Sequence, residues 1–274
     1  LFNDAAFGIA ADKDALEAYA ARLGIFSDSA PEEGVTVLQH SGYVRVARGE
    51  LTALLDIAPV GPDYQPGHAH ADTLSFELSL GCRRVIVNGG TSCYANGPHR
   101  LRERGTARHS TVQIGDENSS ELWQSFRVGR RARPGPILVS GWEIEGSHDG
   151  YRHLRASPIH RRKWHFDAEY MEVTDSITPA ASRAVARFHL APGLRLIPAA
   201  EPRIWLVQQD SAPPLAEVKV VAGASRRANS YYAPEFGLRI PIETLEVELE
   251  AGTSSVMWKW LSSAYSFSNR QLPS

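Results

Sequence analysis

Cysteine is scarce: Cys82 and Cys93 are the only two in 274 residues, and their spacing makes neither a CxxC pair nor a zinc finger. Both are expected to be small, buried, free thiols, with a bridge between neighbouring strands left open. Long apolar runs are missing as well. Nothing approaches the ~18 consecutive apolar residues that a membrane-spanning helix needs. Charge of one sign is absent, since 29 Lys and Arg meet 31 Asp and Glu for a formal net charge of -2. No global basic field therefore points to nucleic acid. There is no internal repeat, no low-complexity tract and no secretory leader. A start at Leu1 rather than Met is read as a start inside a longer chain.

What is present is an ordinary globular composition, 43% hydrophobic and 22% charged, in a length that suits one large β domain or two small ones. One stretch has helical spacing. Leu16, Tyr19, Ala20 and Leu23 follow Asp12 as N-cap and precede Gly24 as a stop. After Pro31 the period becomes two. Val35 and Val37, Tyr43–Ala47 and Leu51–Ile57 read as a meander. Further strands are expected over Leu74–Leu80, Arg83–Val87, Thr111–Ile114, Phe126–Arg130, Ile137–Ile144 and Tyr170–Ile177. Later ones are Ala184–Leu190, Ile204–Gln208, Glu217–Val221, Thr244–Glu250 and Val256–Leu261. Many short strands with little helix imply an all-β, antiparallel sandwich behind a short N-terminal helical segment.

The chemistry concentrates in GHAHADTLSFE, from Gly67 to Glu77. Residues i and i+2 of a strand share a face, so an extended stretch would project His68 and His70 together. They would serve as two metal ligands, or as one ligand and one catalytic group, with Asp72 on the same face to orient an imidazole. The bland alternative is two histidines at a polar strand edge. Downstream, Arg100, Arg102, Arg104 and Arg108 form either a solvated surface loop or a cationic wall for an anionic ligand. Cupin-type oxygenases also carry HxH on a strand, but they need a Glu three or four residues later. Leu74 and Ser75 stand there, and Glu77 is too far.

Four ordered blocks, GHAHADTLSFEL, VIVNGGTSCY, RGTARHSTVQIGD and FRVGRRARP, cover residues 67–133 and resemble the heparinase II/III-like polysaccharide lyases. The lead-in FNDAAFGIA and HDGY at His148–Tyr151 are similar more loosely. The resemblance implies an α/α toroid followed by a large β supersandwich, with the active site between them. Residues 1–30 would then be a helical lead-in, the tail of a toroid, and residues 31–274 the sandwich. It implies zinc on the sandwich, with His70 and His109 as ligands. Asn88 stands where the family commonly has an Asp ligand, and it is kept as a candidate third ligand through its amide carbonyl, which brings no charge to a metal.

The implied reaction is β-elimination from a uronic-acid-containing polysaccharide such as a glycosaminoglycan, alginate or a bacterial exopolysaccharide. His68 and Tyr94 are the catalytic positions it suggests here, with the four arginines as substrate contacts. Other catalytic groups would come from the toroid, so this stretch alone is expected to fold without turning over substrate. The resemblance further implies a periplasmic or secreted bacterial protein, the cytoplasm staying open. A non-catalytic carbohydrate-binding or structural sandwich is the competing expectation.

Overall fold

The structure, a computed structural model, describes residues 1–26, 32–181 and 183–261. Its core is a sandwich of two antiparallel sheets. The first runs Gly34–Leu38, Tyr43–Arg48, Leu51–Asp56, Phe76–Leu80, Arg83–Val87, Ala184–Leu190, Ile240–Glu248, Ala224–Tyr232, with Val112–Ile114 also pairing with Ala184–Leu190. The second runs Leu194–Pro198, Ile204–Gln209, Ala216–Ala222, Thr253–Trp260, Tyr170–Thr178, Ile159–Phe166, Glu143–His148, Leu138–Ser140. Alternation explains the layers. Val44 and Val46, Ala53 and Leu55, and Phe76 and Leu78 point inward from the first sheet, and Trp164, Met171, Val173 and Trp258 from the second. The rings interlock, Phe76 lying edge-on 6.2 Å from both Trp164 and Phe188, and Phe188 tilted 5.6 Å from Trp258. Among the described residues no helix is long and apolar enough to cross a membrane.

Some local expectations need correction. Ile137–Ile144 is not one strand, because Gly141 takes φ 58° and turns the chain between Leu138–Ser140 and Glu143–His148. Strand Ile159–Phe166 went unread because two of its inward positions are His160 and Arg162, which hide the apolar alternation. The arginine-bearing stretch Pro98–Arg104 is helical. Cys82 is free but exposed, and Cys93 is free and half-buried. The helix Lys13–Arg22 forms as expected, with Asp12 accepting from the Ala15 amide at 2.8 Å. Its apolar positions Leu16, Tyr19 and Leu23 nevertheless stay exposed. The expected domain boundary at residues 30–31 lies outside the described residues.

One feature of the topology makes a site. Leu55 pairs with Phe76, and Leu78 with Ile86, so the excursions 57–75 and 88–111 leave the first sheet at the same end. Side chains from both meet there. Residues 2–7, placed by sequence within the lead-in, pack against this end: Phe2 meets the Tyr43 ring at 5.2 Å, and the Phe7 amide donates to the Pro234 carbonyl.

Candidate functional site

The site is organised around Asp4, a buried residue with no counterpart in the sequence reading beyond its place in FNDAAFGIA. One carboxylate oxygen accepts from His70 Nε2 at 2.8 Å and Thr91 Oγ1 at 3.1 Å. The other accepts from His68 Nδ1 at 2.9 Å and an Arg100 terminal nitrogen at 2.7 Å, while the second Arg100 terminal nitrogen completes a fork. Burial works to raise the Asp4 carboxyl, but hydrogen bonds from His70 and Arg100 outweigh it and hold the group well below the usual carboxylate range. An ionised Asp4 can only accept, which fixes both tautomers. Proton-bearing nitrogens face the carboxylate, leaving His70 Nδ1 and His68 Nε2 without a proton when the rings are neutral.

The HxH stretch is therefore not a strand with one common face. Residues 67–75 are turns and irregular chain, and the strand begins at Phe76. His70 is fully buried, whereas the His68 side chain is 63% exposed. The two rings still converge, because they bind opposite oxygens of one carboxylate.

Beneath them, His70 Nδ1 lies 3.3 Å from His109 Nε2. Two nitrogens bound at ~2.0–2.1 Å to one tetrahedral ion stand about 3.3 Å apart, so the pair is spaced for a metal without rearrangement. Asp72 completes a buried trio whose ligand atoms all fall within 4.8 Å of one another. Burial, with the neighbouring His70, His189 and Arg108 charges, pushes His109 well below the ordinary imidazole value and keeps it neutral, as a ligand must be. Burial also raises the Asp72 carboxyl, a cost that a cation at this point would relieve. The donor set of two imidazoles and one carboxylate suits zinc.

Asn88 lies close by but is otherwise engaged. Its Oδ1 accepts from the Ser110 amide at 3.0 Å, and its Nδ2 donates to Ser75 Oγ at 3.2 Å, which ties the two excursions together. Of the two positions it is Asp72, not Asn88, whose side chain falls in the buried trio with His70 and His109. Asn88→Asp should accordingly lower stability by about 1–3 kcal/mol, by burying a charge without a cation, and leave metal affinity unchanged. Chemical denaturation and a zinc titration of the variant check this, and tighter zinc binding would return position 88 to the ligand shell.

Tyr94 joins the exposed side of the site. Its ring lies 5.7 Å from His68, 5.2 Å from Phe126 and 4.7 Å from Phe236, with the Arg100 guanidinium 4.9 Å from its centroid. Burial, then the Asp4 charge, raises its phenol, so Tyr94 carries its proton at neutral pH.

The expected cationic wall is not a wall. Arg100 is spent on Asp4. Arg104 is buried, donating to the Ala69 carbonyl at 2.9 Å and to the Gln124 and Arg127 carbonyls at 3.3 Å. Arg108 is buried too, bonded to Ser230 Oγ and the Tyr231 carbonyl. Only Arg102 of the four is exposed. The helix Pro98–Arg104 turns Arg100 and Arg104 to one side, as i,i+4 neighbours, where they brace the excursions instead of meeting solvent.

A second buried chain braces the site from the opposite sheet. Arg162 donates to the carbonyls of Leu74 at 3.0 Å and Ser110 at 2.6 Å, each close in sequence to a trio residue. Its other nitrogens grip Asp175 at 2.7 and 2.9 Å. Asp175 also accepts from His160 Nε2 at 2.7 Å, and His160 Nδ1 faces His148 Nε2 at 3.1 Å.

Comparison with known proteins agrees with this architecture. Residues 30–260 match the family model described as heparinase II/III-like, C-terminal. A heparinase III, the BT4657 gene product, superposes with a TM-score of 0.72 at 14% identity, covering 99% of this chain and 46% of its own. The heparan sulfate lyase HepC from Pedobacter heparinus gives a TM-score of 0.71 at 16% identity, covering 96% and 44%. A curated protein, FtsZ-localized protein C of Caulobacter vibrioides, is 30% identical over 199 residues, 61% of this chain and 33% of that protein. The chain thus spans less than half the length of each of these relatives.

Proposed function

Because the chain belongs to the heparinase II/III-like, C-terminal family, we propose that it forms the sandwich half of a polysaccharide lyase that cleaves a uronic-acid-containing polymer by β-elimination. The observation that carries this reading is the exposed His68, locked in one tautomer by Asp4 and set beside a protonated Tyr94. Elimination moves the C5 proton to a base, breaks the C4–O bond as the C4–C5 double bond forms, and needs a proton on the departing oxygen. His68 Nε2 is placed to accept a proton, and the charged ring would donate from it to the uronate carboxylate, while the Tyr94 phenol is placed to donate. The apolar rings of Phe126 and Phe236 pack around this pair.

His70, Asp72 and His109 would hold zinc, which supplies positive charge and would tie the excursion that carries His68 to the one that carries His109. The exposed apolar stripe Leu16, Tyr19 and Leu23 supports a partner domain in the native protein, such as the toroid that the family resemblance implies. The test is the native protein with heparan sulfate and alginate, reading the ultraviolet absorbance of the unsaturated product. His68→Ala should lower kcat by ~10²–10⁴-fold with little change in KM. Full activity in that variant, or no product from the wild type, would sink the reading.

A second reading has its own observation. The relative at 30% identity is named for its place with FtsZ and not for an activity. A non-catalytic sandwich serving a scaffold would keep its metal trio and its cellular location in His68→Ala, and would yield no unsaturated product in either form.

A further inference from the structure

FRVGRRARP does not supply the core of the site, yet it lines a hollow of about 700 Å³. The hollow lies between the segments 59–63, 129–134 and 149–152, outside the His68 pocket. Four guanidinium groups, Arg130, Arg131, Arg133 and Arg152, face two carboxylates, Asp63 and Asp149. In a chain of net charge -2 this is a local surplus of positive charge.

The arginines are not equivalent. Arg130 is committed to the Ser119 and Gly150 carbonyls, at 3.3 and 2.5 Å. Arg131 holds Asp63 at 3.0 Å and the Pro62 and Asp63 carbonyls at 3.3 Å. These two build the walls. Arg152 makes only a 3.4 Å contact with Asp149 and is largely exposed. Asp149 already accepts from the Arg133 backbone amide at 2.8 Å, and among the described residues the exposed Arg133 guanidinium has no partner. Arg133 and Arg152 are therefore the groups free to receive an anion.

The hollow adjoins the candidate active site. Gly61 lines both it and the neighbouring pocket of about 390 Å³ that contains His68, Asn3 and Gln65. Tyr64, 88% exposed, stands in that second pocket as an apolar face of the kind sugar rings stack on. The Phe126 ring, 5.9 Å from that of His68, lines a further cleft with Asn96 and Arg127. Adjoining hollows, one beside His68 with the Tyr64 ring and one lined by guanidinium groups, match a repeating acidic chain better than a single small anion.

We propose that the Arg133–Arg152 hollow is a remote subsite holding carboxylate or sulfate groups of an acidic polysaccharide whose reacting unit lies at His68. This rests on the polysaccharide reading above and adds where a neighbouring acidic unit of the polymer lies. It also explains why the helix arginines can be buried, since substrate charge is met by a different segment of chain.

The experiment measures binding of a heparan sulfate disaccharide and octasaccharide to the native protein and to Arg133→Ala/Arg152→Ala, by calorimetry at two salt concentrations. Arg130 and Arg131 stay untouched because they hold backbone. The octasaccharide should lose about tenfold in affinity and part of its salt dependence, while disaccharide affinity and melting temperature stay unchanged. Arg133→Lys/Arg152→Lys should recover part of the loss, since charge remains without the fork. Equal octasaccharide binding by wild type and double Ala variant would overturn the subsite and leave the polysaccharide reading standing. A wild type that binds neither length would overturn that reading, and the subsite with it.

Discussion

Asp4→Ala should destabilise the protein by about 3–5 kcal/mol, because it leaves the fully buried Arg100 guanidinium without its counter-ion. The effect extends beyond one ion pair. Asp4 also holds His68, His70 and Thr91, so the same change frees the tautomer of His68 and the orientation of His70. Zinc affinity should fall by roughly 10–100-fold, the usual cost of removing a carboxylate behind a metal-bound histidine. Asp4→Asn keeps the shape and some of the hydrogen bonds but loses the charge, and should fall between the two. Denaturant midpoints and zinc titrations on the three proteins decide it. An unchanged midpoint in Asp4→Ala would mean that residues 2–7 do not dock on the sandwich in solution.

Acid should unfold the protein early. In the unfolded chain His148, His160 and His189 take up protons near ~6.5. In the fold burial keeps all three below that value, His148 and His189 far below it. The unfolded state therefore binds more protons as the pH falls, and each ring removes about 1.4 kcal/mol of stability per pH unit below that value. From pH 6.5 to 5.5 the sum is up to about 4 kcal/mol, and full stability returns above 6.5.

The geometry shows why these rings resist charging. His148 Nδ1 accepts from the Gly150 amide at 3.0 Å, so its Nε2 donates to His160 Nδ1, and His160 Nε2 donates to Asp175. An added proton has nothing left to donate to. Asp175 has the opposite balance. Burial raises it, but Arg162 and His160 hold it at about 2, so its own contribution fades only in much stronger acid. Urea titrations at the two pH values measure the slope, and His148→Gln should remove roughly a third of it. A flat profile between pH 6.5 and 5.5 would show that the rings charge inside the fold.

Several features could be read directly from residue order. Period-two stretches such as Leu51–Asp56 and Phe76–Leu80 became strands of one sheet because their alternation fits a half-buried pleat and little else. Asp12 capped its helix because the cap is a contact three residues long. His70 and His109 could be singled out because each sits in a block whose spacing resembles a known family.

Other features needed the folded chain, and the reason is the same in each case. Whether Arg100 faces solvent or Asp4 depends on a residue 96 positions away. Asp72 rather than Asn88 joins the His70–His109 trio, because Ser75 and Ser110 close on the Asn88 amide from two separate excursions. The strand Ile159–Phe166 escaped notice because His160 and Arg162 look like surface residues until Asp175 and the carbonyls of Leu74 and Ser110 surround them. Local order determines which face of an element is apolar. Where a polar side chain is satisfied depends on which distant segments the sheets bring to the same end, and that is decided only when the sandwich closes.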